Sequence, residues 1–125
     1  SNLRRQRQMC IRDSYKRSAN ILNSESKSKL EIVGSADPGL FKNDYEKNLY
    51  KKIHAIRKYF SSIGRDEDYD ESLKTLSSAK IEVNEFFDNV IVNDQEELIK
   101  KNRLELLKML CKSFDNYFNF SKIEA

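Results

Sequence analysis

From Tyr45 onward, apolar residues return every three or four positions: Tyr45, Leu49, Ile53, Ile56, Phe60 and Ile63. That spacing keeps one stripe of a 3.6-residue helix apolar and predicts an amphipathic helix. Asn43, with Glu46 three residues on, supplies a capping box at its start, and Gly64 supplies the stop. Asp68 and Glu71 repeat the box. Behind them Tyr69, Leu73, Leu76, Val83, Phe87 and Val90 fall near one face, interrupted by Lys80. Ser77-Ser78 marks a break into two helices or a kink in one. Asp94 and Glu97 form a third box, opening a helix that runs to about Tyr117. Its apolar positions (Ile99, Leu106, Leu110, Phe114, Tyr117, with Leu104, Leu107, Cys111 and Phe118) span a wide face, which must pack between two or more neighbours. Upstream, Tyr15 to Asn23 reads as the end of a helix, Ser24 to Lys29 as loop, Leu30 to Val33 as a short extended run and Asp37-Pro38-Gly39 as a turn. No strand pattern of useful length appears. The expected fold is all-α, an antiparallel helical bundle with short connections.

A chain of 125 residues suits one domain with a single core. No apolar run approaches ~18 residues, so no membrane span is expected. Cys10 and Cys111 form no C-x-x-C pair, and with one histidine they make no zinc site of ordinary spacing. A reduced, cytoplasmic protein without metal or cofactor is the expectation. The net charge of +3 comes entirely from Arg4, Arg5, Arg7 and Arg12 against Asp13; the other 111 residues carry 19 basic and 19 acidic side chains. Arg4 to Ser14 reads R-R-Q-R-Q-M-C-I-R-D-S. Suitable codons for those eleven residues spell a common transposase sequencing adapter. Residues 1–14 are therefore read as a translated, non-native adapter that packs against nothing. Residues 15–125 are read as the domain proper, the C-terminal part of a longer chain.

Arg103 falls on the apolar stripe between Ile99 and Leu106. Burying an unpaired guanidinium costs several kcal/mol, so it needs a partner. Asp88 or the helix-end carbonyls around Val90 would serve, as would an RNA phosphate or base. Lys16, Arg17 and Asn20 are candidates for RNA, the cations for phosphates and the amide for a base edge. Lys100 and Lys101 are further candidates. Lys47, Lys51, Lys52, Arg57 and Lys58, with Tyr50 and His54, lie off the apolar stripe and read mainly as a solvated face. Carboxylates at helix starts, such as Glu96-Glu97 and Asp66-Glu67-Asp68, offset the macrodipole. No Gly-rich phosphate loop, nucleophile elbow or metal cluster is present in the sequence.

Two segments carry a family resemblance. Phe86, Phe87, Asp88 and Val90 fit F-F-D-x-V-x-V, and Asn102, Arg103 and Leu104 fit R-x-N-R-L-x-L-L with Lys100 at its first arginine. Lys16, Arg17, Asn20 and Ile21 fit K-R-x-x-N-I. The chain thus resembles the C-terminal anticodon-binding (DALR-type) domain of the bacterial glycyl-tRNA synthetase beta subunit. Where that family often has proline after the serine pair, this chain has Glu82. The resemblance implies a helical domain, itself non-catalytic, that binds the anticodon arm of glycine tRNA. It further implies the rest of the beta subunit and the alpha subunit as partners in ATP-dependent attachment of glycine. The competing reading is a helical protein-interaction module with no RNA role. Salt-dependent tRNA affinity separates the two.

Overall fold

The computed structural model describes residues 2–25, 28, 30–63 and 68–120. Among them the chain forms α1 (Asn2–Ser24), a 3-10 turn (Pro38–Leu40), α2 (Asp44–Ser62), α3 (Tyr69–Ser77), α4 (Lys80–Asn89) and α5 (Glu97–Tyr117), with no strand. The all-α expectation holds. Gly64 and the Asp66-Glu67 pair lie outside the described residues.

α5 is the central helix. It packs against α1, α2, α3 and the 3-10 turn, which is what its wide apolar face required. Leu104, Leu106, Leu107 and Leu110 are fully buried on it, and Phe114 nearly so. Against them stand Leu49, Ile53 and Ile56 of α2, Leu73 and Leu76 of α3, and Val83 and Phe86 of α4. Asn43 caps α2 by accepting from the Glu46 N–H, and Asp68 caps α3 by accepting from Asp70 N–H. The serine pair does end α3, and α4 begins two residues past it.

Three expectations need correction. First, residues 2–14, the described part of that segment, do not stand off the fold. They form the first half of α1, which runs without interruption to Ser24 and packs on α3 and α5. Ile11 is 1% exposed, and the buried Gln8 donates to the Tyr69 hydroxyl. Arg4 makes a two-pronged contact with Asp70. The buried stripe is Gln8, Ile11, Ser14 and Ser18, so mostly polar that apolar periodicity cannot reveal it. Second, α5 starts at Glu97 rather than behind Asp94, because Asp94 turns its carboxylate to the Glu96 N–H and to Arg103. Third, Leu30 to Val33 pairs with no strand among the described residues. Its continuation docks on α5 instead: Val33, Gly34 and Ser35 N–H groups converge on Glu105 Oε1 at 2.8, 2.6 and 3.2 Å. The convergence needs Gly34 at φ +89°, where a side chain would be strained and would press on Lys112.

Candidate nucleic-acid interface

On α1, positions 16, 17 and 20 fall on a solvent-facing side, one turn from end to end. Lys16, Arg17 and Asn20 are all exposed. α4 lies alongside, and its Lys80, Asn84 and Phe87, spaced four and three apart, face the same way. The two helices enclose an open groove of about 420 Å³, lined by Lys16, Arg17, Asn20, Lys80 and Asn84. Arg17 crosses it. Its guanidinium carbon sits 4.3 Å from the Phe87 ring centroid, and Nη1 donates to Asn84 Oδ1 at 3.2 Å. A cation over a ring face is attracted by the ring quadrupole, here with one amide fixing its rotation. Among the described residues, no hydrogen bond or ion pair engages Lys16, Asn20 or Lys80. Asp13 is the single carboxylate on the lining, so the groove carries a cationic excess.

The arrangement joins two segments 70 residues apart in sequence, since Arg17 of the K-R-x-x-N-I stretch rests on Phe87 of the F-F-D turn. The neighbouring Phe86 belongs to the core and meets Phe87 edge-on at 5.6 Å. Val90 closes the turn, its N–H donating to the Phe86 carbonyl. Lys80 reads in sequence as a flaw in an apolar stripe; with Asn84 and Phe87 it forms a second, polar-aromatic face of α4. That i, i+4, i+7 spacing was the signal available for Lys80 and Asn84.

The remaining candidates lie elsewhere. Lys100 pairs with Glu25 at 2.8 Å, and Lys101 with Glu105 at 3.1 Å. Arg103 is enclosed: Nη1 donates to the Ile91 carbonyl at 2.7 Å and to Asp94 at 3.3 Å, and Nη2 meets Glu46 at 3.3 Å. The expectation of a helix-end carbonyl near Val90 holds, whereas the proposed Asp88 partner is corrected. Asp88 is exposed at the end of α4, and the fully buried Glu46 of α2 takes its place. By sequence Glu46 reads as a capping residue alone; in the structure one of its oxygens accepts from both Lys42 N–H and Arg103. Asn102 clasps the Asp37 backbone, accepting from its N–H at 2.6 Å and donating to its carbonyl at 3.0 Å. Leu104 is fully buried. The polar residues of the N-R-L motif thus hold the 33–37 loop and α2 to α5.

Of the basic run on α2, Lys47, Lys51, Lys58 and His54 are exposed as expected. Arg57 is not part of that face: it reaches α5, donating to Ser113 Oγ and to the Met109 carbonyl. Neither thiol is activated. Burial pushes Cys111 up to about 12 and raises Cys10 as well. No helix among the described residues is long and apolar enough to cross a membrane, and no cluster among them has a metal-ligand set.

Comparison with known proteins gives a consistent result. The DALR anticodon binding domain family matches residues 11–125. Glycine–tRNA ligase beta subunits from Rickettsia typhi and Rickettsia prowazekii are each 37% identical over 111 residues, covering 89% of this chain. The corresponding subunit of Rickettsia africae is 36% identical over the same length. The chain spans 16% of the length of these relatives.

Proposed function

Since the chain belongs to the DALR anticodon binding domain family, we propose that it binds the anticodon arm of glycine tRNA through the α1 face bearing Lys16, Arg17 and Asn20. In this reading it serves a glycyl-tRNA synthetase beta subunit in the cytoplasm, working with the rest of that subunit and with the alpha subunit. It supports ATP-dependent attachment of glycine without catalysing it, and itself holds no metal or cofactor. The observation that carries the proposal is the Arg17–Phe87 contact, which brings the two family-like segments into one cationic groove. Near-neutral charge over residues 15–125 is compatible with this role, because a domain tethered to a larger enzyme gains effective concentration from its neighbours.

The test is a titration of the chain with glycine tRNA and with an unrelated tRNA across a range of salt. Arg5 and Arg12, both exposed, are replaced by Gln to subtract their charge. Preference for glycine tRNA is expected, with Lys16→Ala and Arg17→Ala each flattening the salt slope by about one counterion. Asn20→Ala is expected to blunt discrimination among loop sequences instead. Equal affinity for both tRNAs at every salt concentration would reject the anticodon reading in favour of a protein-interaction module.

A further inference from the structure

The α1–α4 groove has the makings of a seat for one nucleotide. Its volume of about 420 Å³ falls in the range of small-molecule clefts, roughly 300–1,000 Å³. A groove of that size between two helices has room for a single unstacked base. RNA sequence is read mostly from such splayed bases, stacked on aromatic rings or guanidinium planes and hydrogen-bonded along their edges. Arg17 supplies the plane. Its guanidinium carbon lies over the Phe87 ring and Asn84 holds Nη1, while the residue as a whole remains exposed. A surface arginine normally loses rotamer entropy on stacking; this one is already held by a ring and an amide.

Resting on the anticodon reading, the geometry points to a site that takes one unpaired ribonucleotide of the loop, its base laid on Arg17. Phe87, Arg17 and the base then form a three-layer stack. The amides of Asn20 and Asn84 meet the base edge, Asn84 offering its NH2 because its oxygen already accepts from Arg17. The ammonium groups of Lys16 and Lys80 flank the 5′ and 3′ phosphates. All six side chains lie beyond residue 14, although Cys10, Asp13 and Ser14 of the adapter-like segment complete the wall of the groove. Lys80 and Asn84 become specificity and phosphate residues on a helix that sequence patterning assigned to the core.

The probe is a hairpin RNA carrying the anticodon stem and loop of glycine tRNA, intact or with one loop nucleotide at a time made abasic. One abasic position is expected to weaken binding by roughly 5- to 150-fold, the range of base stacking. Arg17→Lys keeps the charge and loses the plane. It should weaken the intact hairpin by a similar factor and abolish the penalty at that one position. Asn84→Ala should change which base is preferred there while leaving the salt slope unchanged. Thermal melts of both variants, altered only at exposed or half-exposed side chains, check that the bundle is intact. If wild-type protein binds the hairpin but Arg17→Lys leaves every abasic penalty unchanged, the nucleotide seat is overturned while the anticodon reading stands. If wild-type protein binds neither hairpin nor tRNA, the anticodon reading falls, and the seat with it.

Discussion

At the turn into α5 a guanidinium is closed in by two carboxylates and a carbonyl; on α1 another lies across a phenyl ring with its outer side in water. Arg103 and Arg17 are chemically identical and both stand out in the sequence. Their surroundings give them different work. Arg103 is 6% exposed, and its two terminal nitrogens are held by Glu46 of α2, Asp94 and the Ile91 carbonyl, so it ties the α4–α5 turn to α2. Arg17 touches one amide and one ring. Enclosure by acids makes an arginine a fastener. A neutral platform under an exposed one leaves its charge and its free plane available for a partner.

The largest test of this contrast removes the enclosed member. Arg103→Ala or Glu46→Ala leaves an uncompensated buried charge and should cost about 3–5 kcal/mol in urea unfolding. The double variant should lose clearly less than the sum of the two, because the residues are coupled. Asp88→Ala should stay within ~0.5 kcal/mol; a large loss there would restore the Asp88 pairing expected from sequence.

A second experiment separates α1 as a support from α1 as a surface. Deleting residues 1–14 removes the buried Ile11, worth roughly 2 kcal/mol, and the Gln8–Tyr69 hydrogen bond, worth about 1 kcal/mol, while keeping the Arg17 side chain. A total loss near 3 kcal/mol is expected. An unchanged melting temperature would put the segment back in solvent, where its adapter-like sequence first placed it.

The enclosed polar cluster also has a pH signature. Burial pushes the Glu105 carboxyl up, but the hydrogen bonds from Gly34, Lys101, Ser35 and Val33 outweigh it and leave the group below its ordinary 4.5. A carboxyl lowered in the folded state stabilises fully above its unfolded value, and that stability drains away as pH falls through the folded value. Unfolding free energy should therefore decline on acidification below about 4.5. Glu105→Gln should flatten that decline and cost about 1–2 kcal/mol at neutral pH. A profile identical to wild type would mean the 33–35 loop is not held by this carboxylate.

The smallest effect belongs to the open arginine. Arg17→Ala removes an exposed cation–π contact and should change stability by no more than about 1 kcal/mol, far less than Arg103→Ala. A loss of comparable size would erase the distinction between the two guanidinium sites.

Much of this molecule was legible from residue order alone. The stripe Leu49, Ile53, Ile56, the Asn43 and Asp68 caps, the break at Ser77-Ser78 and the wide face of α5 are local signals, carried by spacings of three and four residues and by short-range side-chain to backbone hydrogen bonds. The F-F-D and N-R-L motifs were equally plain, and so was the need of Arg103 for a partner. What order alone could not give was the identity of partners far apart in the chain. Glu46 lies 57 residues from Arg103, Glu105 about 70 from the loop it gathers, and Phe87 70 from Arg17. The first half of α1 was invisible for a related reason: Gln8 and Ser14 become core residues only when other helices pack on them, with Tyr69 supplying the hydrogen bond that Gln8 needs. Apolar burial is written in periodicity because water repels those side chains in any fold. Polar burial and a polar groove exist only once the helices have met, since partners such as Glu46 for Arg103 and Tyr69 for Gln8 are delivered by tertiary packing alone.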